Sequence, residues 1–176
     1  MNIRDARTSD AATIADIYND AVLTSTASFD VEPKPAEDRE RWLVARSPIH
    51  PVLIAEIDGT VAGWGALSPY SDRRAYAATA ELSTYIAAPY RSRGVGRALT
   101  LALIERARLA ALHMLLARIC TENEASIALV RTLGFIEVGT MHEVGWKFDR
   151  WLDIVTWEYD LDDPRVEGRD SGDTLR

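Results

Sequence analysis

The sequence predicts a mixed α/β domain with a partly antiparallel sheet, and three observations carry that expectation. Asp58-Gly59 joins two apolar runs through the dipeptide that most favours a two-residue hairpin turn. Strand-like and helix-like segments follow one another without the repeated βαβ unit of a doubly wound fold. A glycine-bearing loop, Arg91 to Arg97, stands between a strand and a long helix.

Ile3 to Arg7 reads as a short strand. Thr8-Ser9-Asp10 offers a helix N-cap, after which Ile14, Ile17, Tyr18, Ala21 and Val22 recur at helical spacing. Past Pro33 and Pro35, a second amphipathic helix runs from about Ala36 to Arg46, with Trp42 and Leu43 facing inward. Val52 to Ile57 and Thr60 to Leu67 flank the hairpin turn. Pro69 to Ala78 is a polar loop carrying Arg73 and Arg74. Thr79 to Ile86 alternates as a strand, and Pro89 ends it. Ala98, Leu99, Leu101, Ala102, Ile104 and Ala107 mark the long helix. His113 to Cys120 is a buried strand, and Ala125 to Leu133 is a helix stopped by Gly134. Ile136 to Met141 and Trp151 to Leu161 are the last two strands, separated by a loop through Gly145. One domain is expected over residues 1–161, followed by a frayed polar tail over 162–176.

The 176 residues are 47% hydrophobic and 27% charged, which suits a soluble globular chain. A net charge of −7 argues against nucleic acid as the main partner, because phosphate binding needs a cationic footprint. Cys120 is the lone cysteine, so no intrachain disulfide can form. The N-terminus has no apolar h-region, and no apolar run approaches the ~18 residues of a membrane span. A cytoplasmic protein with no membrane partner is the expectation. His50, His113 and His142 lack metal-ligand spacing, so no metal is expected.

Glycines at 94 and 96 let the backbone of Arg91-Ser92-Arg93-Gly94-Val95-Gly96-Arg97 turn tightly and aim successive N–H groups at one point. The following helix N-terminus adds unpaired donors and partial positive charge. The pattern has no Walker lysine and is not G-x-G-x-x-G, which disfavours a nucleoside triphosphate or NAD site. On these residues alone the segment reads equally as an anion site or as a turn with solvated arginines.

Arg91-x-x-Gly94-x-Gly96 resembles the pyrophosphate-binding signature of the GCN5-related N-acetyltransferases (GNAT), whose element order matches nearly the whole chain. The closer resemblance is to the phosphinothricin and methionine sulfoximine acetyltransferases. It is carried by Ile17 to Val22, Ser25 to Phe29, Thr79-Ala80-Glu81, Asn123 to Ile127, Leu133-Gly134-Phe135 and Val144 to Asp153. The resemblance implies a GNAT fold, with a mostly antiparallel sheet splayed at the acetyl-CoA site and flanked by helices. It implies that the backbone of Thr84, Tyr85 and Ile86 pairs with the pantetheine arm like an added strand. It further implies that Arg91 and Ser92 to Arg97 (Arg93, Gly94, Val95 and Gly96 between them) hold the pyrophosphate. Asn123 would bond the cofactor near its thioester; its residue type also suits a helix N-cap.

Acetyl transfer to an amine needs a base for the ammonium proton and a stabilised thiolate leaving group. Glu81, in an otherwise apolar strand and at the family's base position, is the candidate base; a plain strand glutamate would instead be solvated. Where family members carry a tyrosine or histidine that protonates the thiolate, this chain has Val130, which cannot. A water, a backbone N–H or Tyr85 remain as donors. Phe148 replaces a histidine of some members and reads as a pocket wall. Cys120, without a neighbouring histidine, reads as structural.

For an amino-acid acceptor such as methionine sulfoximine or phosphinothricin, Arg73 and Arg74 are candidate carboxylate partners, with solvated loop arginines the alternative. Ser71 departs from an arginine or lysine common in the family. Phe29 matches an aromatic that closes over the substrate, and otherwise anchors its loop. Lys147 reads as a residue facing the site or, more commonly for its type, a solvated strand-end lysine. A protein N-terminal or lysine acetyltransferase and a non-catalytic acyl-CoA-binding module stay open. The resemblance also implies a homodimer, to which Trp151, Ile154, Val155, Trp157 and Tyr159 are candidate contributors.

Overall fold

A seven-stranded sheet runs through the computed structural model, which describes residues 1–163. The tail expected over 162–176 lies outside the described residues from position 164 onward. The strands are β1 (Asn2–Asp5), β2 (Val52–Ile57), β3 (Thr60–Pro69), β4 (Thr79–Ile86), β5 (Met114–Cys120), β6 (Ile136–Lys147) and β7 (Arg150–Asp160). Their order across the sheet is β1-β2-β3-β4-β5-β7-β6, and every neighbouring pair is antiparallel except β4 with β5. Because β4 and β5 run parallel, a helical crossover must join them. That crossover is the long helix the sequence predicts.

The helices are α1 (Ala11–Thr24), α2 (Ala36–Val44), α3 (Val95–Leu109) and α4 (Glu124–Thr132). Leu99, Leu103 and Ile104 of α3 and Val130 of α4 share one core with Leu115 and Ala117 of β5 and Trp157 of β7. Ile14 and Ile17 of α1 make a second core with Ile54 and Trp64, against which Trp42, Leu43 and Tyr85 pack. Alternating side chains of the central strands therefore feed two different helix layers. Gly65 permits the close approach of α3: a Cβ there would lie 2.9 Å from Leu103 Cδ1.

Two local expectations are corrected. Thr8-Ser9-Asp10 is a 3-10 turn, and the Asp10 carboxylate accepts from the Arg7 N–H (2.7 Å) and a two-pronged Arg4 guanidinium (2.7 and 2.8 Å) rather than capping α1. The Arg4 bonds, foremost, hold that carboxyl below its ordinary range. Further on, Gly145 lies in a strand and not in a loop. β6 continues to Lys147, with a bulge between Met141 and Gly145, and the hairpin closes at Phe148-Asp149. Both turn residues have positive φ (53° and 56°), matching the geometry of Asp58-Gly59 (51° and 78°). The type I′ turn is the same; Phe-Asp simply lacks the residue types that announce it.

The register of β4 and β5 positions the site. Only three pairs form, Thr79↔Met114, Ala80↔Leu115 and Glu81↔Leu116, although both strands continue beyond them. On its other edge β4 stays paired with β3 as far as Ile86. The sheet therefore opens into a V after Glu81, leaving one edge of residues 82–86 without a partner strand among the described residues.

Candidate active site

A cleft of about 830 Å³ occupies this V. Thr84, Tyr85 and Ile86 line one wall, Ser92 and Gly94 to Arg97 close one end, and Asn123, Ser126 and Leu129 face them from α4. The segment after α1, from Ser25 to Ala27, completes the enclosure. Of the residues proposed from sequence to hold a cofactor, all but Arg93 line this cleft.

The glycine-bearing loop takes its shape from two left-handed residues, Ser92 (φ 60°) and Gly94 (φ 79°). Glycine tolerates that region freely, and Ser92 adopts it at a steric cost. The chain then enters α3 at Val95, so the N–H groups of the first helical turn open toward the cleft. The three arginines divide their work. Arg91 donates to Asp20 (2.8 Å) and to the Ile86 carbonyl (3.2 Å), fastening the loop to α1 and β4. Arg93 lies over the Tyr90 ring, 5.7 Å from its centroid, and Arg97 lines the cleft. Arg150, which sequence reasoning did not single out, also lines it, fork-bonded to Glu122.

Asn123 is the N-cap of α4: its side-chain oxygen accepts the Ser126 N–H at 3.2 Å. Such a cap contributes about 1 kcal/mol to the helix. The same residue borders the cleft. Val130 turns into the core at 4% exposure, while Ala125, Ser126 and Leu129 are the α4 residues that line the cleft.

Glu81 stands at the last position of β4 that pairs with β5. By alternation it shares a face with Ser83 and Tyr85, opposite the α3 layer. Its carboxylate is not alone there. Arg118 of β5 grips it with two bonds, Nε to Oε1 at 3.0 Å and Nη2 to Oε2 at 2.6 Å. Sequence reasoning missed Arg118 because its partner is 37 residues away and depends on the register of the two parallel strands. Tyr85 stacks on Trp64 (4.7 Å between centroids) and meets Tyr18 edge-on at 5.0 Å. Burial pushes its phenol well above the ordinary tyrosine range, which keeps it protonated and a poor acid.

The residues proposed for the acceptor are spread out. Phe29 lies on Gly145, where a Cβ would meet the ring at 2.2 Å, and this fastens the loop after α1 to β6. Arg73 and Arg74 are exposed in the connection before β4 and do not line the cleft. Lys147 is a correction: it is buried, and Nζ donates to the carbonyls of Ser25 (2.9 Å) and Ser28 (2.6 Å). Burial lowers its pKa. Cys120 is buried and free. Among the described residues, the potential metal-ligand group His113, Asp160 and Asp162 is largely exposed, at the end of β5 away from Cys120. No helix among them is long and apolar enough to cross a membrane.

Comparison with known proteins adds names to this geometry. Residues 3–156 match the family described as an acetyltransferase (GNAT) domain. The chain is 37% identical to the L-amino acid N-acyltransferase MnaT of Escherichia coli K12, over 93% of this chain and 95% of the relative. It is 40% identical to the L-methionine sulfoximine/L-methionine sulfone acetyltransferase of Pseudomonas paraeruginosa, over 93% and 96%. Among solved structures, yncA of Salmonella typhimurium with its cofactor acetyl-CoA superposes with a TM-score of 0.90 at 36% identity, covering 93% of this chain and 95% of that one.

Proposed function

Because this chain belongs to the GNAT acetyltransferase family, we propose that it transfers the acetyl group of acetyl-CoA to the amino group of a small amino-acid-like acceptor. One observation carries the reading: the V between β4 and β5 has an anion-binding helix terminus at one end and a carboxylate, Glu81, at its apex. A thioester carrier with a phosphorylated tail fits that polarity. The first turn of α3 with Ser92, Gly94 and Gly96 holds the pyrophosphate, aided by the charge of Arg97. The unpaired edge of Thr84 to Ile86 takes amide groups of the arm as an added strand. The amide nitrogen of Asn123, whose oxygen is committed to the cap, is left to donate near the thioester.

In this reading Glu81, directly or through one water, removes a proton from the acceptor ammonium. The neutral amine attacks the thioester carbonyl carbon, and the C–N bond forms as the C–S bond breaks. The second proton of the nitrogen passes to the departing thiolate. Val130 cannot relay it, and the raised pKa of Tyr85 makes that phenol a weak acid for this step. Water admitted by the open cleft completes the transfer. No covalent acetyl-enzyme is invoked, since Cys120 is buried and absent from the cleft lining.

Thiol release from acetyl-CoA is the test. Turnover is expected with free L-methionine sulfoximine, L-methionine sulfone or phosphinothricin. Turnover confined to peptide N-termini or lysines would overturn the acceptor assignment, and CoA binding without turnover on any amine would overturn the enzyme assignment.

A homodimer is part of the proposal. Of the five apolar residues marked from sequence, Val155, Trp157 and Tyr159 are consumed by the chain's own core. Edge strand β6 nonetheless exposes Ile136, Val138, Met141, Val144 and Trp146, beside Trp151. An exposed apolar edge is a surface that proteins normally cover. Sedimentation at micromolar concentration is expected to give twice the 19.5 kDa chain mass, and a monomer there would refute the dimer.

A further inference from the structure

The Glu81 carboxylate is already engaged. Arg118 reaches it from β5, two residues past Leu116, the last β5 residue paired with β4. The ion pair thus bridges the apex of the V at the point where the strands part. It is also accessible, with side-chain exposures of 26% for Glu81 and 50% for Arg118. A guanidinium carries five N–H donors in a fixed fork. Glu81 takes two of them, and no other hydrogen-bond partner of Arg118 occurs among the described residues. Tyr70, paired edge-on with Tyr76 at 5.2 Å, stands close enough to interact electrostatically with Arg118.

A carboxylate gripped by a guanidinium offers an incoming ammonium only its outward lone pairs until something takes the guanidinium. An α-amino acid brings both charges needed for an exchange, a carboxylate and an ammonium one carbon apart. The geometry points to such a swap: the acceptor's carboxylate takes Arg118, and the acceptor's ammonium takes Glu81. One ion pair becomes two, and no charge is left uncompensated, whereas an amine without a carboxylate would strand the guanidinium. Arg118 is then the carboxylate-recognising residue of the acceptor site, in place of Arg73 or Arg74. Recognition of the carboxylate is also the event that presents Glu81 to the proton it removes. This inference rests on the small-acceptor reading above.

The test compares L-methionine sulfone with its carboxamide, which keeps the amine and loses the negative charge. Both are assayed with wild type, Arg118→Gln and Arg118→Lys, and acetyl-CoA affinity serves as the check on folding. Wild type is expected to prefer the acid about ten- to a hundredfold in kcat/KM, the worth of one charge-assisted pair. In Arg118→Gln the preference collapses toward parity because KM rises for the acid and not for the amide; Arg118→Lys restores part of it. A preference that survives in Arg118→Gln, or an equal loss on both acceptors with acetyl-CoA binding intact, overturns the exchange and leaves the small-acceptor reading standing. Wild type that acetylates peptides and no free amino acid overturns both.

Discussion

Replacing Glu81 by glutamine is expected to lower kcat about 10²- to 10⁴-fold at neutral pH, the range that a positioned general base contributes. Acetyl-CoA affinity should not change, because Glu81 sits at the apex of the V and is not part of the cleft lining. The substitution is isosteric. An amide can still accept one bond from Arg118, but its NH₂ group opposes the second N–H of the fork, so the acceptor site loosens locally while the sheet register stays. The pH profile separates base chemistry from misplacement. Without its base the variant depends on the small fraction of acceptor already present as free amine. Its rate should therefore climb roughly tenfold per pH unit until the acceptor's own amine titrates. Wild type should reach its plateau at lower pH. A variant that keeps wild-type kcat at neutral pH would assign the proton to water or to another group.

The fold was legible where residue chemistry is local. Asp58-Gly59 announces its hairpin because both residues accept positive φ. The α3 pattern is readable because one stripe of it is buried, and Gly134 ends α4 as expected. The second hairpin turn was missed for the converse reason: Phe148 is held at positive φ by the long β6–β7 ladder and not by its own preference, although Asp149, like Asp58, accepts it. Within the cleft, the glycine-bearing loop and the Asn123 cap were readable because each is a short motif with its own mechanics. Arg118 and Arg150 could not, since each acquires its carboxylate only through strand register or loop position. Lys147 was misread on the same grounds. Nothing in Gly145-Trp146-Lys147 says that the loop after α1 will fold over the strand and bury the ammonium.

That buried lysine carries the second large expected effect. Lys147→Met keeps the length and packing of the stem but removes the donor that satisfies the Ser25 and Ser28 carbonyls. Two orphaned acceptors cost about 2–5 kcal/mol together. For a domain of this size that corresponds to a fall in Tm of roughly 5–15 °C. Because Ser25, Thr26 and Ala27 also wall the cleft, KM for acetyl-CoA should rise in parallel, although position 147 does not itself line it. The sign of the pH dependence is specific. Burial lowers the Lys147 pKa in the folded state, so between that value and the ordinary 10.5 of a lysine the unfolded chain binds more protons. Stability conferred by this group therefore rises with pH across that window and is flat below it. Wild type should gain Tm relative to Lys147→Met as pH climbs from neutrality toward 10.5. A constant difference between the two across that range would mean that Lys147 does not titrate with a lowered pKa. An unchanged Tm would mean that the loop is held without Lys147, by Phe29 on Gly145 and by the Tyr18 bonds to Ser28 and Asp30.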